Sequence, residues 1–175
     1  MLQIVQATSP ADLAAVGPMF RDYVAWDTER YRDVLDEAYF DTASLEAEIA
    51  GLPGEYAPPK GSLLLALLGQ IPAGCCGLRE LGEGYCEMKH LFVARDFGRR
   101  GIGRALVRQI VAEATTAGYH YMRLETGVRN SEAMLLYQRL GFLCIDPYYP
   151  IDEKWRHLHV FFELPLPAVQ SRVSP

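Results

Sequence analysis

A membrane-length apolar run is missing from this 175-residue chain: the longest uninterrupted one, Leu63 to Leu68, has six residues, against the roughly 20 that a spanning helix needs. No membrane segment is expected. The first residues, Met1-Leu2-Gln3-Ile4-Val5, have neither a basic start nor a sustained apolar stretch, and Asp12 follows soon after. No secretory leader is therefore expected, and a cytoplasmic location is. Cysteine is scarce: Cys75 and Cys76 are neighbours, Cys86 and Cys144 stand alone, and no C-x-x-C pair exists. That spacing suggests neither a zinc site nor a disulfide framework, and reduced, mostly buried thiols are expected. His157 and His159 would share a face of a strand, but no third ligand lies near them in sequence, so they read as structural or surface residues and no metal is expected. Positive charge is also short, with 17 basic against 22 acidic residues and a net charge of −5, which argues against a nucleic-acid-binding domain.

What is present is an ordinary globular composition, 50% hydrophobic and 22% charged, enough for one domain with its own core. Its arginines are unevenly placed. Residues 95 to 108 hold Arg95, Arg99, Arg100, Arg104 and Arg108 against the single acid Asp96. Such a cationic island on an acidic protein is either a solvated helix face or a site for a polyanion.

Periodicity and punctuation order the chain. A short strand over residues 4–8 precedes a helix from about Pro10 to Thr28, with Ser9 as its cap. An acidic helix follows over Thr42 to Ala50, then a loop over Gly51 to Gly61 that is too rich in proline for helix or central strand. Strands are expected at Ser62–Leu68, Ala73–Arg79 and Tyr85–Val93, with a turn at Gly69 to Pro72. An arginine-rich loop leads to a helix from about Gly101 to Ala117, then a strand at Tyr121–Thr126 and a helix at Ser131–Leu140 closed by Gly141. A strand from Phe142, a Pro147–Pro150 turn and a last strand near His157 to Leu164 complete a single mixed α/β domain with a largely antiparallel sheet.

The stretch Gly98-Arg99-Arg100-Gly101-Ile102-Gly103-Arg104 stands between a strand and a helix. Glycine lets main-chain N–H groups approach a ligand, and a helix start leaves several of them unpaired at the positive end of the dipole, a geometry that holds a pyrophosphate. A Walker loop would need Gly-Lys-Ser/Thr, which is absent, and a dinucleotide fingerprint would need a third glycine where Leu106 stands. The stretch instead resembles the phosphate motif Q/R-x-x-G-x-G/A of the GNAT superfamily, the acyl-CoA-dependent N-acyltransferases. A second signature of that superfamily is matched by Asn130, Ala133, Tyr137, Gly141 and Phe142. The resemblance is sharp over residues 85 to 142 and extends in element order from residue 3 to about 166. It departs at one point: Gly98 and Arg99 stand as though exchanged relative to the usual order. Because the phosphates are held mainly by main-chain N–H groups, binding is expected to survive the exchange.

The resemblance implies an α/β (α+β) fold, with a mixed, largely antiparallel sheet flanked by helices on both faces, as one acyl-CoA N-acyltransferase domain over residues 1–175 with a flexible tail at 167–175. It implies acetyl-CoA as cosubstrate, without a metal. Its phosphates would lie on Gly98, Arg99, Arg100, Gly101, Ile102, Gly103 and Arg104, and its pantetheine arm along the main chain of Leu91, Phe92 and Val93. Asn130 and Ala133 would meet that arm from across the cleft, although Asn130 could instead cap the following helix. A main-chain N–H near Val93 would polarise the acetyl carbonyl.

The implied reaction is attack of an amine on a thioester. An alkylammonium of pKa about 10.4 is only about one part in a thousand neutral near pH 7.4, so a base is needed. Glu87 is expected to serve, directly or through water. Strand alternation places it on one face with Lys89, Leu91 and Val93, with His90 on the other; the competing reading is an ion pair with a nearby Arg or Lys. Tyr137 matches the superfamily's usual acid for the departing thiolate, or else packs with Leu136 and Leu140. The acceptor, a small-molecule amine or a peptide amino group, is expected against Tyr23, Trp26, Asp27, Glu29, Tyr31, Tyr148 and Tyr149. A non-catalytic acyl-CoA-binding or sensing module is the alternative function. The residues themselves set no oligomeric state; a homodimer is common among the proteins the chain resembles.

Overall fold

Ser9 accepts the Asp12 N–H at 3.2 Å while Asp12 takes the Ser9 N–H at 3.3 Å, a reciprocal capping box with Pro10 in the first turn. These bonds start α1 (Pro10–Tyr31), three residues longer than the sequence pattern implies. The computed structural model of the protein describes residues 1–35 and 41–168; of the expected tail, residues 169–175 lie outside the described part. Helix α2 (Thr42–Ala50) begins where Asp41 accepts the Ser44 N–H at 2.9 Å. The proline-rich stretch after it contains a single 3-10 turn, Gly54–Tyr56.

The strands are β1 (Leu2–Gln6), β2 (Ser62–Leu68), β3 (Ile71–Gly82), β4 (Tyr85–Val93), β5 (Tyr121–Gly127), β6 (Leu143–Ile145) and β7 (His159–Pro165), with α3 (Ile102–Thr116) and α4 (Ser131–Arg139) either side of β5. Strand β3 starts inside the expected turn, because Gly69 at φ +68° lets Gly69 and Gln70 alone reverse the chain. A short helix α5 (Glu153–Arg156) was not expected; His157 closes it, so only His159 of the two histidines enters β7.

All seven strands form one sheet in the order β1-β2-β3-β4-β5-β7-β6, antiparallel except at β4–β5. That parallel pair is short. It runs from Tyr85 with Tyr121 to Glu87 with Arg123 and then stops, although both strands continue. Beyond it the strands diverge and the sheet opens. One sheet face is covered by α3 and α4 through Leu106, Ile110 and Tyr137. The other is covered by α1 and α2 through Val16, Phe20 and Leu45.

Within β4 the strict alternation fails. Gly77 pairs with Lys89 and Cys75 with Phe92, so two residues, His90 and Leu91, oppose the single Cys76. His90 absorbs this bulge at φ +50°. Cys86, Met88, Leu91 and Val93 therefore share the α3 side, whereas Phe92 joins the α1–α2 core and His90 stacks on Phe20 there. This corrects the expected faces: Glu87 lies on the side of His90 and Phe92, not of Leu91 and Val93.

The end of α1 is latched to the loop after β5. Tyr31, buried to 2% exposure, accepts the Arg129 N–H on its phenol oxygen at 2.7 Å. It reaches there because Gly127 has no side chain; a Cβ at that position would fall inside contact distance of the Tyr31 hydroxyl. Gly127→Ala is expected to cost about 2 kcal/mol through this clash, and so to lower the melting temperature by roughly 4–8 °C. In a Tyr31→Ala background the same change should cost much less, a non-additivity that thermal melts of the two single variants and the double variant will measure.

Candidate active site

The divergence of β4 and β5 leaves a cleft with two contiguous cavities, each of about 620 Å³. They share Trp26 of α1, Leu91 and Val93 of β4, and Asn130, Glu132 and Ala133 at the start of α4. One edge of the cleft is unpaired backbone. The Ala94 N–H bonds to Ala73 O at 3.0 Å, so alternation turns the main-chain groups of Val93 and Leu91 away from β3 and into the gap.

The second cavity extends over the loop between β4 and α3. Gly101 caps α3 at φ +76°, and the first helical bond is that of the Ala105 N–H to Gly101 O. The N–H groups of Ile102, Gly103 and Arg104 therefore lack helical acceptors, and these residues line the cavity. Arg30, Arg99, Arg104 and Arg139 line it too, against the single acid Glu132. Arg100 does not: it is exposed and lies over the Phe97 ring at 5.8 Å. The Gly98–Arg99 exchange has a conformational consequence. Gly98 sits at φ −55°, open to any residue, whereas Arg99 takes the left-handed turn at φ +61°. Free N–H groups and surplus cations beside an unpaired strand edge fit a ligand with a pyrophosphate at one end and an amide-bearing arm.

Asn130 stands at the N-cap position of α4, as the sequence allowed, but its side chain makes no capping bond. Its side chain, 3% exposed, instead donates to Asp27 and Thr126, both at 3.3 Å, and accepts from Arg30 at 3.4 Å. It thereby ties α1 to the β5–α4 junction between the two cavities.

The first cavity holds the groups that can move protons. Tyr137 lines it, and burial, then the neighbouring Cys76 and Glu125, push its phenol well above the ordinary value, so it stays protonated through the neutral range. Glu87 lines it too, but both carboxylate oxygens are occupied. Arg79 donates to Oε2 from Nε at 2.6 Å and the Tyr148 hydroxyl donates to Oε1 at 2.5 Å. The ion pair weighed against the base is thus the arrangement present. Tyr23, Trp26 and Tyr149 of the expected acceptor wall line the cavity. Tyr31 and Glu29 do not: Tyr31 holds Arg129, and Glu29 pairs with Arg32 on the surface.

Two contacts in the cavity were not readable in the sequence. Glu125 of β5 lines the cavity and is bonded to His159 Nδ1 of β7 at 2.5 Å; only the pairing of β5 with β7 brings the two together. His90 lines the same cavity and bonds Glu48 through Nε2 at 2.9 Å, while its buried Nδ1 has no hydrogen-bond partner among the described residues. No group of three or more His, Cys, Asp or Glu among the described residues could hold a metal ion, and no described helix is long and apolar enough to cross a membrane.

Comparison with known proteins supplies the context. The sequence model of the Acetyltransferase (GNAT) family matches residues 19–142. An uncharacterized N-acetyltransferase of Schizosaccharomyces pombe is 33% identical over 108 residues, 61% of this chain and 66% of that protein. The chain spans between 30% and 66% of the length of the first three curated relatives it matches. The PaiA N-acetyltransferase of Thermoplasma acidophilum, solved with coenzyme A, has the same fold at a TM-score of 0.68 and 18% identity, over 94% of this chain and 99% of that one. The YncA structure of Salmonella typhimurium, solved with acetyl-CoA, superposes at 0.66 and 20% identity, over 99% of this chain and 97% of that one.

The Glu48–His90 contact sets a pH dependence. Burial alone would raise Glu48, but hydrogen bonds from His90 and Tyr56, with the charge of His90, bring it from 4.5 down to about 2. A depressed carboxylate contributes stability above its unfolded pKa and loses it as pH falls through the folded one. Denaturant unfolding should therefore show a loss of stability between pH 5 and pH 2 that is smaller in Glu48→Gln than in the unmodified protein.

Proposed function

The chain belongs to the Acetyltransferase (GNAT) family, and on that ground we propose that it transfers the acetyl group of acetyl-CoA to a primary amine by direct attack. The observation that carries this reading is the opening between β4 and β5, which joins free N–H groups at the start of α3 to a cavity lined by Tyr137 and three glutamates. Bound acetyl-CoA supplies the activated acyl group. Gly101, Ile102, Gly103 and Arg104 offer main-chain N–H groups to its phosphates, with Arg99 and Arg139 beside them. The main chain of Leu91 and Val93 receives the pantetheine arm, and the Val93 N–H polarises the acetyl carbonyl. Tyr137 gives its proton to the departing thiolate, a role its buried and protonated phenol suits.

The acceptor is a small amine or a peptide amino group that reaches the cavity past Tyr23, Trp26 and Tyr149. A cytoplasmic setting is supported by four unpaired cysteines. The test is thiol release from acetyl-CoA across polyamines, amino acids, arylamines, aminoglycosides and short peptides. Release with one acceptor class carries the reading. Acetyl-CoA binding without release from any of them replaces it with a non-catalytic acyl-CoA-binding module. With the active acceptor, Tyr137→Phe should lower kcat by tenfold or more while acetyl-CoA affinity changes less than about twofold; unchanged turnover removes Tyr137 from the chemistry.

A further inference from the structure

We propose that Glu125, oriented by His159, is the group that takes the proton from the acceptor amine. This assignment rests on the acetyltransferase reading above and specifies how that reaction begins. Three glutamates line the cavity, and they are not equivalent: Glu132, exposed in the first turn of α4, stands where this cavity meets the arginine-lined one. Glu87 has 6% of its side chain exposed, and its oxygens are taken by Arg79 and Tyr148. A proton placed on that carboxylate would oppose the half-buried Arg79 guanidinium. Glu125 has 29% of its side chain exposed. Its Oε1 meets His159 Nδ1, and its Oε2 carries no hydrogen bond among the described residues.

Position favours Glu125 as well. It lies two residues beyond Arg123, where the β4–β5 pairing ends, and so stands on the wall of the opening. Tyr137, the proposed acid, lines the same cavity, and the charge of Glu125 is among the causes that raise its phenol. The other titratable groups that feel this charge surround it: Tyr23 and Asp27 from α1, and Tyr148 from the turn after β6. Burial and then the Glu125 charge offset the bond from Asn130 to leave Asp27 raised. His159 faces Glu125 from β7 with only 10% of its side chain exposed.

The proton balance follows. The acceptor arrives as an ammonium and passes one proton to Glu125 Oε2, leaving a neutral amine. Its nitrogen lone pair forms the C–N bond at the acetyl carbon, and the C–S bond breaks with its electron pair on sulfur. Tyr137 protonates that thiolate and regains a proton from the new amide nitrogen. The net product is one proton, released from Glu125 to solvent. His159 is a positioning residue: its Nδ1 holds Oε1 and keeps Oε2 available to the cavity.

The experiment is kcat against pH with acetyl-CoA and the fastest amine of the acceptor panel, with acetyl-CoA affinity of each variant measured by calorimetry. Glu125→Gln should lose about 100-fold or more in kcat and its acid limb, with cosubstrate affinity unchanged within about twofold. Glu125→Asp, which keeps the carboxylate, should retain the limb. Glu87→Gln lowers the rate but leaves the limb at its original pH. His159→Asn, which can still donate to Oε1, should exceed His159→Leu in kcat by at least about fivefold. Loss of less than tenfold in Glu125→Gln with the limb in place, or disappearance of the limb in Glu87→Gln, overturns the assignment while acetyl transfer stands. An unmodified protein that binds acetyl-CoA yet acetylates no amine overturns the acetyltransferase reading itself, and the assignment with it.

Discussion

Three residues of parallel pairing, Tyr85 to Glu87 against Tyr121 to Arg123, are the constraint on which the site depends. While paired, β4 and β5 hold the sheet together; once the pairing stops, each strand keeps a free edge and the space between them becomes a cleft. Main-chain groups need hydrogen-bond partners, and an opened sheet leaves those of its free edge to solvent or to an extended, hydrogen-bonding ligand. The connections place the rest. Because β4 runs into α3, the helix start and its free N–H groups lie at one end of the opening. Because β5 runs into α4, Asn130 and Tyr137 lie along its other side.

The bulge at His90 is the second determinant. It reverses the facing of β4 midway, so that Glu87 and His90 look toward α1 and α2 while Leu91 and Val93 look toward α3. Glu48, Tyr56 and the Phe20 ring hold His90 in its left-handed conformation. A strand without the extra residue would send the cleft-lining backbone of Leu91 and Val93 toward β3 instead.

Much of this was legible in the residues. The cap and period of α1, the extent of α2, the borders of β2 and β4, and the glycine that ends α4 were all readable from local chemistry, and so was the loop that starts α3. What local chemistry could not carry was long-range. The bulge breaks the alternation from which the face of Glu87 was inferred, and nothing in Cys86-Glu87-Met88-Lys89-His90-Leu91 marks where an extra residue enters. The Glu125–His159 contact needs the strand order β5-β7-β6, in which the last strand inserts beside the fifth. Arg30 and Arg139 reach the cleft only because α1 and α4 converge on it.

The Tyr31–Gly127 latch bears on how this protein can change over time. With α1 tied at Arg129 and Asn130 to the β5–α4 junction, the mouth of the cleft is held by the same bonds that hold the fold. Backbone movement there cannot widen it cheaply. New acceptors must then be gained by replacing side chains such as Tyr23, Trp26 and Tyr149, one discrete step at a time, on a frame that stays still.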